Sequence, residues 1–318
     1  MNVYETAHSN AVWRDLSHFG RFSVSGADAA HLLHHLTTND IKGLKVGQGC
    51  DTVLVNNKAR ILDLLSIFRR DNDFLIVTSP NRRAMFASHA QKFVLYRQDV
   101  KIVDITDSGG MLGVFGTNAH RVLDAIGLGD LESETNQIQR TVNGLEVSLV
   151  HTTRLPLKSY FLWSENREAL LQLLQNSATQ CDNETYNVLR IEAGLPVTGL
   201  ELTEEYNPWE AGLKNAISLH KGCYNGQEII ARLNTYQKIK QHLRGVRLQQ
   251  LVKELPVKLT YEGREVGVLT SNAVSPRFGA IGLAYVRNDY IQTGQELQAS
   301  DGESSQNVTV CDVPFDSL

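Results

Sequence analysis

The sequence predicts an α+β body followed by a small all-β barrel. Three observations carry that expectation. From residue 50 to about residue 127, short β-like runs alternate with only two helix-like segments, too few crossovers for a doubly wound sheet. Within residues 131–164, TVNGLEVSLV turns on Asn143-Gly144, a pair that favours the type I′ hairpin. From about Gln241 the chain is a series of short strands punctuated by Glu262-Gly263, Ser271-Asn272 and Asp301-Gly302. The expected division is a body over 1–240 and a barrel over 241–318, without a long linker, a low-complexity tract or a repeat.

The elements follow in order. DTVLVN, RILDLLSIF and DFLIVTS read as strands, with NNKAR (56–60) and RRDND (69–73) as polar turns between them. Residues 81–96 follow Pro80 and read as a helix. VKIVDI and MLGVFG are strands again, and 118–126 is a second helix that stops at Gly127. Helices are expected at 165–177 and 182–193. A further one starts at Gly226, with Gln227 and Glu228 in its first turn and Ile229, Ile230 and Leu233 on an apolar face.

Composition narrows the function. The 318 residues are 42% hydrophobic and 21% charged, with a net charge of -4, which gives the whole protein no attraction for nucleic acid or anionic membrane. No apolar run approaches the ~18 residues of a membrane-spanning helix. MNVYETAHSNAVWRDLSHFG lacks the apolar core of a signal peptide and the arginine-rich look of a transit peptide, so a cytoplasmic protein is expected. The four cysteines, Cys50, Cys181, Cys223 and Cys311, are scattered with no C-x-x-C, which argues against a disulfide framework and against a metal site built from one stretch of chain.

Several stretches invite a functional reading. The glycines of DSGGMLGVFG (107–116) do not have the dinucleotide spacing and read as a turn. His31 and His35 in HLLHH stand one helical turn apart, but no third ligand is near and a solvated helix face explains them. Between Glu228 and Glu254 there is no acid, while Arg232, Lys238, Lys240, Arg244, Arg247 and Lys253 all fall inside. Such a surface suits an anionic partner (phosphate, RNA or a polycarboxylate ligand), or is simply a solvated hairpin. In HKGCYNGQEIIARL (220–233), Cys223 lies just before a helix start, beside Lys221 and near two glycines. Those neighbours favour a thiolate and let the backbone approach a ligand.

KGCYNGQE (221–228) resembles the K-G-C-[FY]-x-G-Q-E signature of the YgfZ family, folate-binding proteins of iron–sulfur cluster maintenance. LRIEAGLP (189–196), EVGVLTS (265–271) and GAIGLAY (279–285) look like landmarks of the wider superfamily, which includes the glycine cleavage aminomethyltransferase, or T-protein. DLSHFGR (15–21), VSGAD (24–28) and LTTND (36–40) are similar to the T-protein pattern itself. The resemblance implies a body of two interleaved α+β subdomains, one of them ferredoxin-like over about 50–130, with a C-terminal β-barrel. It implies tetrahydrofolate or a derivative as cofactor, with Glu192 on the pterin edge, where a carboxylate accepts two hydrogen bonds. It implies iron–sulfur proteins or their assembly factors as partners, with tRNA modification affected only downstream; RNA itself and membranes are not expected partners.

Against the T-protein pattern, Cys223-Tyr224 replaces the usual K-x-D-F-type stretch, and Thr198-Gly199 replaces a Tyr-Gly. ARILDLL (59–65) keeps one carboxylate of an Asp pair, Asp63, and has Leu64 for the other. The expected site residues are therefore Cys223 as functional thiol with Lys221, and Glu192, Asp63 and Arg232 toward folate, the last for its glutamate tail. The alternative enzyme reading is aminomethyl transfer from a lipoyl carrier to tetrahydrofolate, which the N-terminal motifs and Ser275-Pro276 support.

Overall fold

The computed structural model describes residues 2–129, 131, 137–236, 238–300 and 305–315. The chain divides into two compact units: Met1–Lys58, Leu62–Asp182 and Asn215–Gln227 form the first, and Ala59–Ile61, Asn183–Lys214 and Glu228–Leu318 the second. Among the described residues no helix is long and apolar enough to cross a membrane.

The first unit begins with α1 (Val3–Ser9), β1 (Val12–Asp15), β2 (Phe19–Ser25) and α2 (Ala29–Leu36). It continues through β3 (Gly49–Val55), β4 (Ile61–Arg69), β5 (Asp73–Pro80), α3 (Arg83–Lys92), β6 (Lys101–Asp104) and β7 (Gly110–Phe115). It closes with α4 (Ala119–Ala125), β8 (Gln137–Val142), β9 (Leu145–Thr152), β10 (Ser159–Ser164), α5 (Arg167–Gln175) and β11 (Thr179–Gln180). Two sheets result, ordered β3-β4-β5-β2-β6 and β11-β1-β7-β10-β9-β8. The chain starts in the six-stranded sheet, leaves it for β2 to β6, and returns at β7, which pairs with β1 and β10. This is the interleaved α+β body.

Each sheet buries one face under helices. Phe22 and Val24 on β2, and Leu65 and Ile67 on β4, are two residues apart and so share a face, which packs on Leu32, Leu33 and Leu36 of α2 and Phe86 of α3. On the other sheet Leu112, Val114, Tyr160 and Leu162 meet Val122 and Leu123 of α4 and Leu170 and Leu174 of α5. Local signals hold where expected. Asn143 and Gly144 both have positive φ (52° and 80°) and join β8 to β9, the conformation a type I′ turn requires. In VSGAD, Gly26 has φ +106°, and a Cβ there would lie 2.2 Å from Asp99 O, so only glycine fits. Asn2 and Glu5 form a reciprocal capping box at the start of α1.

Both crossings between the sheets converge on Arg21, which is 0% exposed. Its guanidinium donates to Ser17 O and Phe19 O (both 3.2 Å) on the outward crossing. On the return it donates to Thr106 O and to Gly109 O (3.0 Å). Burial pushes its pKa down to about 10, with Asp107 and Asp104 pulling upward.

The second unit contains α6 (Asn183–Glu192), α7 (Gln227–Thr235) and the strands β12 (Gln241–Leu248), β13 (Val257–Tyr261), β14 (Arg264–Ser275), β15 (Gly279–Arg287), β16 (Glu296–Ser300) and β17 (Ser305–Cys311). The strands close into a barrel, β12-β15-β14-β13-β16-β17, filled by Val246, Leu259, Leu269, Val286, Val308 and Val310. Glu262 and Gly263 form the expected hairpin turn, with φ of 49° and 76°. Ser271-Asn272 is not a turn. It lies inside β14, next to a register shift between Leu269 and Ser271, and the chain reverses instead between Ser275 and Gly279. The Asp301-Gly302 pair lies outside the described residues. The helix expected over 81–96 is the shorter Arg83–Lys92.

Candidate functional site

α2 ends at Leu36, so the carbonyls of residues 33–36 have no partner within the helix. Three of them are satisfied from outside. Leu33 O accepts Thr37 Oγ1–H (2.7 Å), His34 O accepts Lys221 Nζ (2.5 Å), and His35 O accepts Asn225 N–H (3.0 Å). Lys221 Nζ also donates to Thr37 O (2.6 Å) and Asn39 O (2.7 Å). An ammonium has three N–H bonds, and all three go to main-chain carbonyls. Its charge also meets the negative end of the α2 dipole, and Nζ lies 4.6 Å from the Tyr224 ring centroid. Burial pushes the Lys221 pKa down to about 7, against the upward pull of Asp40 and Cys50. The loop is fixed further by Asn225 Nδ2 on Val55 O (3.2 Å) and Ser218 N on Thr38 O (2.9 Å).

Between these anchors, Gly222 and Cys223 are exposed. Cys223 is a free thiol. Cys181 is buried and Cys50 and Cys311 are half-buried, and burial pushes their thiols up to about 12, 12 and 11 respectively. α7 starts four residues after Cys223, where Tyr224 N–H donates to Gln227 Oε1 (3.2 Å). Beneath Gly222 lies His34, which is 7% exposed; a Cβ on Gly222 would lie 4.0 Å from its Nε2. His34 Nδ1 is 3.2 Å from Asp40 Oδ1 and 3.4 Å from Lys42 N. His31 and His35, the residues the sequence pattern singles out, are both exposed, and His31 meets Lys42 Nζ at 2.9 Å.

Asp63, on β4, is fully buried. Its Oδ1 accepts Leu64 N–H (2.9 Å) and its Oδ2 accepts Ser79 N–H (3.1 Å). Desolvation raises its pKa, against the opposing pull of Arg154 and the Ser79 bonds. Arg154 donates to Val77 O (3.1 Å) and Ser79 Oγ (2.8 Å). On the neighbouring strand, Asp51 accepts Ser66 Oγ–H (2.6 Å) and Thr153 Oγ1–H (2.5 Å). Asn39, whose carbonyl Lys221 holds, reaches Asp51 O with its side chain (2.9 Å). The thiol loop and the Asp51 cluster therefore share one segment, residues 37–39.

In the second unit, Glu192 stands at the end of α6, 7% exposed, with Oε1 accepting Ser275 Oγ–H (2.5 Å). Ser275 Oγ in turn accepts Arg277 N–H and Phe278 N–H (both 3.0 Å), locking the β14–β15 reversal. Two residues earlier on α6, Arg190 pairs with Glu201 at 3.3 Å; both are buried. Glu201 Oε1 accepts the hydroxyls of Thr270 (2.7 Å) and Ser271 (2.5 Å), and Oε2 also accepts Val197 N–H (3.0 Å). Arg232 is exposed on α7, and Lys238 and Lys240 are exposed after it. Arg244 and Arg247 of the same basic interval are engaged instead: Arg244 pairs with Asp312 (2.8 Å) and Arg247 lies over the Phe278 ring (5.6 Å).

Residues 4–155 match the GCVT N-terminal domain and residues 242–316 the glycine cleavage T-protein C-terminal barrel domain. A chloroplastic protein of Arabidopsis thaliana, described as a candidate transferase, is 34% identical over 307 residues, covering 95% of this chain and 70% of that protein. The chain belongs to the glycine cleavage T-protein family. Another T-protein family member, an aminomethyltransferase of Rubrobacter xylanophilus, is 30% identical over 299 residues, covering 89% of this chain and 78% of that protein. The crystal structure of glycine cleavage system aminomethyltransferase T from Bartonella henselae superposes with a TM-score of 0.85 at 21% identity, covering 98% of this chain and 88% of that one. It shares the fold.

The five residues expected from sequence divide between the two units of this T-protein family chain: Cys223, Lys221 and Asp63 in the first, Glu192 and Arg232 in the second. Lys221 has no N–H left to give a thiolate. Sequence reasoning missed His34, Asp51 and the Arg190–Glu201 pair. LTTND and LRIEAGLP contain or adjoin several of their partners, but nothing in a linear pattern says which residues 70 or 180 positions away complete them.

Proposed function

We propose that the protein is a tetrahydrofolate-binding factor of YgfZ type that assists assembly or repair of iron–sulfur clusters and acts through Cys223. The observation that carries this reading is the presentation of the thiol. Of four cysteines, the one in KGCYNGQE is exposed, on a loop held to α2 on both sides. A purely structural turn has no use for an accessible thiol between such anchors. One thiol does not hold a cluster, which usually takes four ligands. Cys223 therefore works with a partner, as one ligand of a shared site or as a thiolate in sulfur exchange. Glu192 takes the pterin edge, and the exposed Arg232, Lys238 and Lys240 of the same unit face the folate's glutamate tail. Effects on tRNA modification follow through cluster-dependent enzymes.

The deciding experiment replaces Cys223 by Ala in a strain that lacks the native gene. Loss of cluster-maintenance activity with folate affinity retained is expected; full activity would make the octapeptide a structural turn. Aminomethyl transfer to tetrahydrofolate is the second reading, favoured by the relatives that carry the name aminomethyltransferase and by the retained Asp63. Mixing the pure protein with an aminomethyl-lipoyl carrier and tetrahydrofolate separates the two. Turnover to methylenetetrahydrofolate supports the transferase, and no turnover supports the thiol-dependent factor.

A further inference from the structure

Glu192 is the last residue of α6, and two other stretches of the second unit converge on it. The helix turns off immediately after it: Gly194 has φ +69°, Gly194 N–H donates to Ile191 O (2.9 Å) and Leu195 N–H to Arg190 O (2.8 Å). The Glu192 carbonyl accepts Phe315 N–H (2.7 Å), so the C-terminal segment fixes its main chain. Its side chain meets the β14–β15 reversal, where Ser275 Oγ–H donates to Oε1 (2.5 Å). Phe278 and Phe315, with ring centroids 5.9 Å apart, tie that reversal to the C-terminal segment. Ser275, like Glu192, is buried. A hydroxyl has one hydrogen and two lone pairs. The Ser275 lone pairs face Arg277 N–H and Phe278 N–H (both 3.0 Å), so its hydrogen has one direction left, toward Glu192. Hydroxyls ordinarily rotate to suit their partners. This one is locked, and it obliges Oε1 to accept.

We propose that Ser275 is a positioning residue for folate, its locked hydroxyl holding the Glu192 carboxylate in the orientation that receives the pterin edge. This rests on the reading of Glu192 as the pterin-binding residue. The 2-amino group and ring N–H of a pterin are two donors side by side. A carboxylate accepts both only when its plane lies close to that of the ring. The last torsion of a glutamate side chain is broad, so an unheld carboxylate samples many planes. A donor fixed by two main-chain amides removes that freedom before the ligand arrives, so binding does not have to. The same donor keeps Oε1 an acceptor, as the pterin edge requires. A proton on that oxygen would meet a hydroxyl whose lone pairs are already taken. Ser275 acts on the ligand through Glu192, not by touching it.

The test is a double-mutant cycle on tetrahydrofolate affinity, measured by calorimetry on the full-length protein. Ser275→Ala should weaken binding roughly three- to tenfold, the cost of fixing one freed side chain on binding. Ser275→Thr, which keeps the hydroxyl, should restore the affinity. On a Glu192→Ala background, the same Ser275→Ala change should cost nothing further. Ser275→Cys, similar in size but a weaker donor, replaces the Ala variant if that one does not fold, and should show the same dependence on background. A Ser275 that only shapes the turn would lower affinity equally on both backgrounds, and that result overturns the positioning role. Wild-type affinity in Ser275→Ala, with Glu192→Ala weakened, overturns it too and leaves the reading of Glu192 standing. Wild-type affinity in Glu192→Ala removes Glu192 from the pterin, and the proposal falls with the reading it rests on.

Discussion

Glu201 is the most demanding test of the energetics. Its carboxylate is 0% exposed and accepts from four donors: two hydroxyls on Oε1, and Arg190 with the Val197 amide on Oε2. Glu201→Ala leaves the Arg190 guanidinium, itself 3% exposed, without its counter-charge. Removing one partner of a buried pair costs about 3–5 kcal/mol, because the stranded charge is not rehydrated. Glu201→Gln should cost less. Its carbonyl can face Arg190 and Val197, which only donate, while its amide faces the Thr270 and Ser271 hydroxyls, which can rotate to accept. That variant loses the charge but few hydrogen bonds, so about half the Ala penalty is expected. Urea unfolding, with the midpoint and slope fitted for each variant, measures both, and the thermal midpoint of Glu201→Ala should fall by on the order of 10 °C. An Ala variant within about 1 kcal/mol of wild type would refute the argument, since it would mean that Arg190 finds water or another acceptor.

Lys221→Met should destabilise by on the order of 4 kcal/mol, because it removes three hydrogen bonds from a charged donor, each worth about 1.5–3 kcal/mol net of desolvation, and leaves the carbonyls of His34, Thr37 and Asn39 without that partner. The rate–pH profile of Cys223 alkylation should not move; a moved profile at unchanged stability would make Lys221 the thiol's partner after all. Iodoacetamide near neutral pH should label Cys223 first, Cys311 only well above it, and Cys50 and Cys181 on unfolding, since burial pushes those three thiols to about 11, 12 and 12. Early labelling of Cys50 in a mass-resolved time course would contradict this. Glu192→Gln should weaken reduced-folate binding roughly tenfold, through one poorly satisfied pterin donor at about 1–3 kcal/mol, and equal affinities by calorimetry would remove Glu192 from the site. Polyglutamylated folate should bind more tightly than the monoglutamate, with an advantage that salt erodes as screening shortens to ~8–10 Å; no preference at low salt would return Arg232, Lys238 and Lys240 to plain surface.

What could be read from the sequence was local. Asn143-Gly144 and Glu262-Gly263 declare their turns because two successive positive φ values restrict the residues that fit. Ser271-Asn272 looks like a turn by composition, yet Ser271 is a strand residue whose hydroxyl is committed to Glu201, 70 positions away. MLGVFG reads as a strand, but no local feature says that it skips β6 and pairs with β1 and β10. In HLLHH the pattern draws the eye to His31 and His35, one turn apart. The buried histidine is His34, which lies about 150° round α2 from the face that Leu32, Leu33 and Leu36 set; it is covered from outside the helix by Asp40, Lys42 and the loop at Gly222. The same limit applies to Lys221: its charge is visible in the sequence, but the α2 carbonyls that absorb it are 182–187 positions away.

The position of Arg21 also bears on how the molecule could be taken apart. Everything from β2 to β6 leaves and re-enters the six-stranded sheet through a gate that one guanidinium spans, with Arg21 N also bonded to Thr106 Oγ1 across 85 positions (2.9 Å). In geometry, those strands are a module spliced into another, with entry and exit side by side. Such a module has little loop entropy left to lose when it closes, because its ends already meet. A chain cut and rejoined at that gate, so that residues 19–106 became a separate piece, would need no spacer. The cost of the cut would be borne by Arg21, whose carbonyl acceptors would then belong to two different molecules.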